Sequence, residues 1–250
     1  METALQQERS ERISKPVAML KVSAWLGDWE QMYQQFDWLG LRSELGSAAD
    51  KKFNIADLAV DRRAQGSRAD HVALRWLGRF GKKKDFTYAE LSVLSNRCAS
   101  VLKHLGVNKG DRVFVLAGRI PELYVAVLGA LKIGAVVSPL FSAFGPEPIA
   151  TRINLGSGKV LVTTESLYTR KVQKMRDSIV SLEHILLVGE EGKATQISGT
   201  LDFAELMARA SEVFSTEATN AEDSALLHFT SGTTGTPKGA IHVHGAALMH

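Results

Sequence analysis

The stretch that decides the fold reads RVFVLAGRIPELYVAVLGALKIGAVVSPLF and covers residues 112–141. Its beginning, residues 112–117, is an apolar run without polar alternation, which is typical of a strand buried on both faces. Pro121 suits the first position of a helix and Gly134 suits the position just after its end. Residues 135–139 supply a second apolar strand. The stretch therefore predicts a strand–helix–strand unit of a parallel sheet.

The same pattern continues on both sides of this unit. Upstream, residues 71–76 alternate like a strand, and Thr87 with Glu90 forms a capping box for a helix that carries Cys98 on its apolar face. Downstream, helices are predicted across 147–155, 168–179 and 203–210, and strands across 159–163, 184–188 and 225–230. Apolar strands that alternate with helices predict an α/β fold with a doubly wound, largely parallel sheet and flanking helices.

The first 69 residues differ from this pattern because they contain no strand-like run. We interpret residues 1–69 as a helical N-terminal leader packed on the body, and residues 70–250 as the main domain. One helix is indicated by aromatic and apolar residues at helical spacing, namely Trp29, Met32, Tyr33 and Phe36. Such a stripe predicts a face buried in the core. A second helix is predicted over residues 53–63.

Composition narrows the class of protein. Hydrophobic residues make up 45% and charged residues 23% of the 250 residues, as in ordinary globular domains. The formal net charge of +3 is too small to favour a nucleic-acid partner. Cys98 is the single cysteine, which excludes an intrachain disulfide and favours a cytoplasmic location. Lys132, Gly134 and Pro139 interrupt the longest apolar stretch, so no membrane partner is predicted.

A second stretch, HFTSGTTGTPKG at residues 228–239, concentrates groups that bind phosphate. Glycines let backbone N–H groups approach phosphate oxygens, hydroxyls add donors, and a lysine adds charge. The candidate phosphate-binding residues are Thr230, Ser231, Gly232, Thr233, Thr234, Gly235, Thr236 and Lys238. The stretch is not a Walker loop, because Pro237 and Gly239 occupy positions that require glycine and a hydroxyl residue. Strands on both sides predict a flap that joins two strands; the alternative is a solvated hairpin turn.

Four histidines lie in or near this loop, at His228, His242, His244 and His250. His242 and His244 alternate on a predicted strand, so their side chains are expected on the same face. No third ligand follows with the spacing of a metal site. We therefore predict no metal site and interpret these histidines as strand residues packed near the cleft.

TSGTTGTPKG resembles the phosphate loop of the acyl-adenylate-forming (AMP-binding) superfamily. Longer stretches resemble the shorter bacterial AMP-forming acetyl-CoA synthetases: YAELSVLSNRCASVLKHLGVNKGDRV (88–113), RIPELYVAVLGALKIGAVVSPLFSAF (119–144) and HFTSGTTGTPKGAIHVHG (228–245). The resemblance implies an acid–thiol ligase whose substrates are acetate or another carboxylate, ATP and coenzyme A. The carboxylate attacks the α-phosphorus of ATP to give an acyl-adenylate and pyrophosphate. Coenzyme A then takes the acyl group and releases AMP.

The resemblance also implies roles for individual residues. The glycine and hydroxyl loop would bind the β- and γ-phosphates of ATP, which Mg²⁺ accompanies, and Thr230 and Lys238 would assist the departure of pyrophosphate. Contacts to coenzyme A are implied at Ser142 and Ala143, which replace the two-glycine turn of the family, and at Arg170 and Lys171. For Arg170 and Lys171 the alternative is a solvated helix face.

Members of this superfamily are longer than this chain. The resemblance implies that the acyl pocket, the ribose-binding aspartate and the C-terminal domain with its catalytic lysine lie elsewhere. We therefore expect the N-terminal part of a ligase, truncated after the phosphate loop, that is inactive alone and self-associates through uncovered apolar faces. A medium-chain or aryl acyl-CoA ligase and a non-catalytic nucleotide-binding remnant are the alternatives.

Overall fold

A central sheet covered by helices forms the body of the protein, which is described from a computed structural model. The structure describes residues 29–37, 40, 53–190, 193–230 and 235–249. The strands are β1 (Val72–Leu77), β2 (Lys83–Thr87), β3 (Arg112–Leu116), β4 (Val136–Pro139), β5 (Gly158–Thr164), β6 (His184–Val188), β7 (Leu201–Asp202), β8 (Ser224–Thr230) and β9 (Lys238–Val243). The helices are α1 (Trp29–Gln35), α2 (55–64), α3 (Tyr88–His104), α4 (Pro121–Lys132), α5 (Pro146–Leu155), α6 (Glu165–Leu167) and α7 (Phe203–Arg209).

Several helical segments depart from regular α geometry. A π-helical turn, Asp57–Asp61, lies inside α2. Another π-helical turn, Tyr168–Val172, continues α6 and passes into a 3-10 helix, Gln173–Ser178. The helix predicted over residues 168–179 is therefore confirmed as a helical region that begins at α6 and changes its winding. A last 3-10 helix, His244–Met249, follows β9 directly.

Seven strands form the main sheet in the order β7-β6-β5-β3-β4-β8-β9. Neighbouring strands are parallel except β8 and β9, which are antiparallel. The central strand β3 has β4 on one side and β5 on the other, with Val113 opposite Val137 and Val160. The predicted doubly wound α/β fold is confirmed.

The sheet separates two apolar cores, which explains why β3 carries no polar alternation. Val113 and Val115 point into the core beneath α3, α4 and α7, whereas Phe114 and Leu116 point into the core beneath α5. Cys98 is fully buried in the first core, and burial raises the pKa of its thiol to about 12. It is therefore a packing residue, as the sequence predicted.

The predicted signals at the helix ends are confirmed. The Thr87 hydroxyl accepts a hydrogen bond from the Glu90 N–H at 3.2 Å, and the Glu90 carboxylate accepts one from the Thr87 N–H at 2.8 Å. Pro121 is the first residue of α4, and Gly134 adopts a φ of 70° just beyond its end. The longest apolar stretch thus divides into α4 and β4. Within the described ranges, no helix combines the length and apolar character needed to cross a bilayer.

One strand was missed because its sequence is charged. Residues 83–87, for which no strand was predicted, form β2, which pairs antiparallel with β1 in a hairpin separate from the main sheet. Arg75 and Asp85 lie opposite each other, and their side chains form two hydrogen bonds of 2.8 and 2.9 Å. Cross-strand pairs of opposite charge stabilise an exposed hairpin without an apolar run.

The structure describes two helices of the predicted leader, and the leader as a unit over residues 1–69 stays a prediction. The helix α1 is confirmed, but its stripe of aromatic and apolar side chains is 41–71% exposed, so the expectation that it belongs to the core is wrong for these residues. Helical spacing indicates a face and does not indicate what covers it. The helix α2 does pack on the body, because Ala56 and Val60 are buried in the first core. Residues 1–28, 38–39 and 41–52 lie outside the described residues.

Candidate functional site at the carboxyl edge of the sheet

Two loops leave the sheet side by side at its carboxyl edge. The strands β4 and β8 are parallel neighbours, with Val137 opposite Leu226, and the Ser138 hydroxyl donates to the Leu227 carbonyl at 2.8 Å. The segment of residues 141–145, here called the β4 turn, follows β4. The segment 231–237 follows β8. Ligands of open α/β sheets bind at this edge.

The glycine and hydroxyl loop connects two antiparallel strands, as predicted. Thr230 at the end of β8 lies opposite Lys238 at the start of β9. Both residues are exposed, and the Thr230 hydroxyl makes only a long contact of 3.5 Å with the Lys238 carbonyl. Gly235 has a φ of 83°, a conformation that glycine adopts without strain. Thr236 is exposed as well.

Four of the predicted phosphate-binding residues, Ser231, Gly232, Thr233 and Thr234, lie outside the described residues. Of the remaining candidates, Thr230 ends β8 and Lys238 begins β9, whereas Gly235 and Thr236 lie in the connection between these strands. No carboxylate of the described part of the chain pairs with the Lys238 ammonium. A phosphate group that entered here would therefore meet an exposed cation and exposed hydroxyl groups.

The described histidines near this loop, His228, His242 and His244, belong to no group that could hold a metal ion, and His250 lies outside the described residues. The rings of His228 and His242 lie edge to face with centroids 5.5 Å apart, and burial, reinforced by His242, lowers the pKa of His228. His244 was expected on the same strand face as His242, but β9 ends at Val243 and His244 begins a 3-10 helix. Across the ranges that the structure describes, no three histidine, cysteine or carboxylate side chains gather to hold a metal ion.

His244 follows the end of β9, at the opposite end of this strand from the glycine and hydroxyl loop. Its side chain is fully buried, and its Nδ1 accepts a hydrogen bond from the Ile55 N–H at 3.2 Å. Burial lowers the pKa of His244 to about 4, although the nearby Asp223 opposes the shift and Lys109 adds to it. The neutral imidazole therefore joins the leader helix α2 to the end of β9.

The residues predicted to contact coenzyme A come together at the β4 turn, with one exception. The Lys171 ammonium donates to the carbonyl oxygens of Ser142 at 2.6 Å and Phe144 at 2.7 Å, and Ala143 lies exposed between them. A solvated helix face is therefore the wrong description of Lys171. It does describe Arg170, which is exposed and donates from Nε to the Ser166 carbonyl of its own helical segment at 3.1 Å.

A buried arginine at the same turn was not predicted. Arg152 of α5 is 8% exposed, its guanidinium carbon lies 4.2 Å from the centre of the Phe144 ring, and its Nη1 donates to the Pro148 carbonyl at 2.8 Å. Arg152 lies on the buried face of α5, together with Ile149 and Ile153. That placement within an apolar stripe is the signal that could have identified it.

A buried ion pair at the opposite edge was also missed. The Lys132 ammonium lies 2.7 Å from Asp61 Oδ1 and 2.6 Å from Asn96 Oδ1, and its side chain is completely buried. Burial lowers the pKa of Lys132, and the neighbouring Asp61 carboxylate opposes this shift. Asp61 also lines a polar cleft of about 340 Å³ between α2, α3 and residues 214–217. The pair joins α2 to α4.

Comparison with known families gives one domain match. The family model described as AMP-binding enzyme matches residues 60–250. Acetyl-coenzyme A synthetase of Bacillus subtilis is 38% identical over 225 residues, which are 90% of this chain and 38% of that protein. Acetyl-coenzyme A synthetase of Streptomyces avermitilis is 36% identical over 209 residues, which are 80% of this chain and 32% of that protein. The chain thus spans about a third of the length of these relatives.

Solved structures of similar proteins have the same fold as this chain. An acyl-CoA synthetase from Brucella canis superposes with a TM-score of 0.80 at 28% identity, over 90% of this chain and 39% of that one. The anthranilate CoA ligase AuaEII, in complex with anthranoyl-AMP, superposes with a TM-score of 0.70 at 25% identity, over 79% of this chain and 36% of that one. Both neighbours share the sheet with flanking helices described above.

Proposed function

Because the chain belongs to the family of AMP-binding enzymes, we propose that it supplies the N-terminal part of an AMP-forming acetate–CoA ligase. The whole enzyme would join acetate to the α-phosphorus of ATP with release of pyrophosphate, and then transfer the acetyl group to the thiol of coenzyme A with release of AMP. The observation that carries the proposal is the glycine and hydroxyl loop between β8 and β9, at the edge where α/β sheets bind ligands.

In this proposal the loop binds the β- and γ-phosphates of ATP. Backbone N–H groups beside glycines, hydroxyl groups and the Lys238 ammonium are donors that suit several phosphate oxygens at once. As pyrophosphate departs, negative charge grows on its oxygens, and Lys238 with Thr230 stabilises that charge. Mg²⁺ would enter with the nucleotide, because this ion usually binds through substrate phosphates and few protein ligands.

Coenzyme A is proposed to contact Ser142 and Ala143 of the β4 turn and Arg170 of the helical segment after β5, whereas the predicted contact Lys171 already donates to two carbonyls of the turn. The acyl group is proposed to be acetyl, since the relatives quoted above are named acetyl-coenzyme A synthetase. This naming does not favour a medium-chain ligase, an aryl ligase or a non-catalytic remnant. A leader over residues 1–69 and a cytoplasmic location are parts of the same proposal, and self-association stays a prediction.

Isothermal titration of this chain with Mg-pyrophosphate and Mg-ATP tests the proposal. We expect both to bind, and we expect no acetate-dependent exchange between ATP and pyrophosphate, because the residues for acetate and adenosine are proposed to lie elsewhere. Magnesium sulfate at the same ionic strength is the control for unspecific anion binding. If pyrophosphate binds no better than sulfate, the phosphate assignment is wrong; measurable exchange would contradict the proposed division of the enzyme.

A further inference from the structure

The β4 turn, residues 141–145, is held by two cations from two different elements. Lys171 reaches it from the π-helical turn after β5, and Arg152 reaches it from α5. Neither cation has an ion-pair partner among the carboxylates of the described ranges. Their positive charges are directed at the main chain and at one aromatic ring of the turn.

Lys171 holds the main chain of the turn. Two of the three N–H donors of its ammonium are used by the carbonyls of Ser142 and Phe144, at 2.6 and 2.7 Å. Hydrogen bonds from a charged donor are shorter and stronger than neutral ones. Two carbonyls that are two residues apart can accept from one ammonium only when the main chain bends sharply. A main-chain hydrogen bond spans the same bend, because the Phe144 N–H donates to the Phe141 carbonyl at 3.0 Å.

Arg152 holds the side chain of Phe144 from the other direction. Helical side chains lean toward the N-terminus of their helix, which brings the guanidinium back to the turn that precedes α5. It lies over the Phe144 ring at 4.2 Å, where the ring quadrupole attracts a cation. Its Nε is buried without a hydrogen-bond partner in the described part of the chain, so the Phe144 ring and the Pro148 carbonyl take the place of a counter-ion.

We propose that Lys171 and Arg152 are positioning residues that fix the shape of the β4 turn, and that neither contacts the ligand directly. The turn then presents the Ser142 hydroxyl, Ala143 and the exposed Phe141 ring as its contact surface. Arg170 is exposed, and its two terminal nitrogens make no hydrogen bond within the described residues, so its guanidinium can reach a phosphate group. The inference rests on the proposed function, in which coenzyme A binds here.

Amide hydrogen exchange of the turn tests the positioning role in this chain without any ligand. In Lys171→Met we expect the amide of Phe144, whose N–H donates to the Phe141 carbonyl across the turn, to exchange about tenfold faster, because the ammonium that joins the two carbonyls is lost. Lys171→Arg, which keeps the charge and the donors, should restore most of the protection. Lys174→Met is the matched control: it removes an exposed lysine three residues away and should leave the turn unchanged.

Arg152→Lys gives a second measurement if Lys171→Met does not fold. It keeps the charge but removes the planar group over Phe144, so exchange at residue 144 should rise while strands β3 and β5 keep their protection. Unchanged exchange at the turn in both folded variants would overturn the positioning role. Faster exchange throughout the sheet would also overturn it, since the two cations would then stabilise the whole fold and not the turn.

A titration with coenzyme A separates this inference from the proposed function. We expect coenzyme A to protect the amides of the turn, and Arg170→Met to weaken its affinity about tenfold without loosening the free turn. If Lys171→Met abolishes binding while the free turn stays protected, Lys171 is a ligand and the inference is wrong. If coenzyme A protects nothing in the unchanged chain, the coenzyme A assignment fails, while the exchange of the free turn still decides the positioning role.

Discussion

Positively charged side chains have different partners at the two edges of the main sheet. At the amino edge, where β3, β5 and β8 begin, lysines are paired with carboxylates. These pairs are Lys132–Asp61 at 2.7 Å, Lys159–Asp111 at 3.0 Å and Lys109–Asp223 at 2.6 Å. At the carboxyl edge the cations have no carboxylate partner within the described ranges. These cations are Arg152 and Lys171, which hold the β4 turn, and the exposed Arg170 and Lys238.

The difference separates lysines that stabilise the fold through carboxylates from two exposed cations, Arg170 and Lys238, that are suited to bind anions. A lysine paired with a carboxylate offers little attraction to a phosphate group, whereas an unpaired cation keeps its full charge for a ligand. The amino edge should therefore respond to substitution mainly through stability, and the carboxyl edge mainly through affinity for anions. The variants below test that division, beginning with the largest expected effect.

Asp61→Ala should cause the largest loss, because it leaves the fully buried Lys132 ammonium without its counter-ion. Breaking a buried pair by removing one partner costs about 3–5 kcal/mol. Urea denaturation measures this as a fall in the free energy of unfolding. Glu205→Ala, which breaks the exposed pair with Arg209, is the control and should change stability by less than about 0.5 kcal/mol.

The double variant Asp61→Leu with Lys132→Met separates loss of charge pairing from loss of packing. It removes both charges together, so its unfolding free energy should lie closer to that of the unchanged chain than to that of Asp61→Ala. A loss below about 1 kcal/mol in Asp61→Ala would contradict the view that burial makes the amino edge dependent on this pair.

Acid should weaken the amino edge through His244, whose backbone N–H donates to the Asp223 carbonyl there. Its pKa is about 4 in the fold and 6.5 as the ordinary value. Between these values the unfolded chain binds a proton that the folded chain does not, so stability falls as pH falls from 6.5 toward 4. At about 1.4 kcal/mol per unit of pKa, the loss reaches about 3 kcal/mol.

His244→Asn removes this titration and keeps a side chain that can accept the Ile55 N–H. The measurement is urea denaturation of the unchanged chain and of His244→Asn between pH 4.5 and 7.5, a range that covers the titration between the two pKa values. The difference in unfolding free energy between them should change with pH in the direction given. Parallel pH profiles would show that His244 does not carry the acid sensitivity.

How far the sequence predicts these edges depends on whether the signal is local. The capping box at Thr87, the proline that starts α4 and the apolar run of β3 are local patterns, and the structure confirms each of them. The flap between β8 and β9 was predicted for the same reason, from glycines and hydroxyl residues between two strand-like runs. Local composition sufficed for these elements and for the connection between β8 and β9.

The charges were predicted poorly because their partners are distant in sequence. Lys132 looked like an interruption of an apolar stretch, and its partner Asp61 lies 71 positions away. Lys171 contacts two main-chain carbonyls, which have no sequence signature at all. His244 was misplaced because one residue decides whether a strand continues, and β9 ends just before it. Tertiary packing, and not local preference, determines these three sites.

Lys238→Ala tests the carboxyl edge. The ammonium is exposed at the start of β9, so its loss should change the unfolding free energy by less than about 0.5 kcal/mol. A hydrogen bond to a charged group contributes about 1.5–3 kcal/mol, so affinity for Mg-pyrophosphate should fall at least about tenfold. Isothermal titration gives the affinity, and Lys193→Ala, an exposed lysine on a distant loop, should bind normally. If Lys238→Ala and the unchanged chain bind Mg-pyrophosphate with equal affinity, Lys238 does not contact the phosphate groups.

The smallest effect should come from Lys159→Met at the amino edge, where the pair with Asp111 is only half-buried. Burial alone would raise the pKa of Asp111, but the Asn108 N–H and the Lys159 ammonium lower it below its ordinary value. The pair therefore stabilises the fold at a pH above the ordinary pKa of an aspartate, and this stabilisation is lost as the pH falls and Asp111 is protonated. Water screens most of the attraction, so the expected loss is about 0.5–1 kcal/mol.

Salt distinguishes this pair from the buried one at the same edge. At about 1 M salt the cost of Lys159→Met should nearly vanish, whereas the cost of Asp61→Ala should persist, because ions cannot approach the enclosed Lys132. Urea denaturation at low and high salt measures both. If the two losses shrink together, burial does not set the strength of these pairs, and the amino edge differs from the carboxyl edge only in having carboxylates nearby.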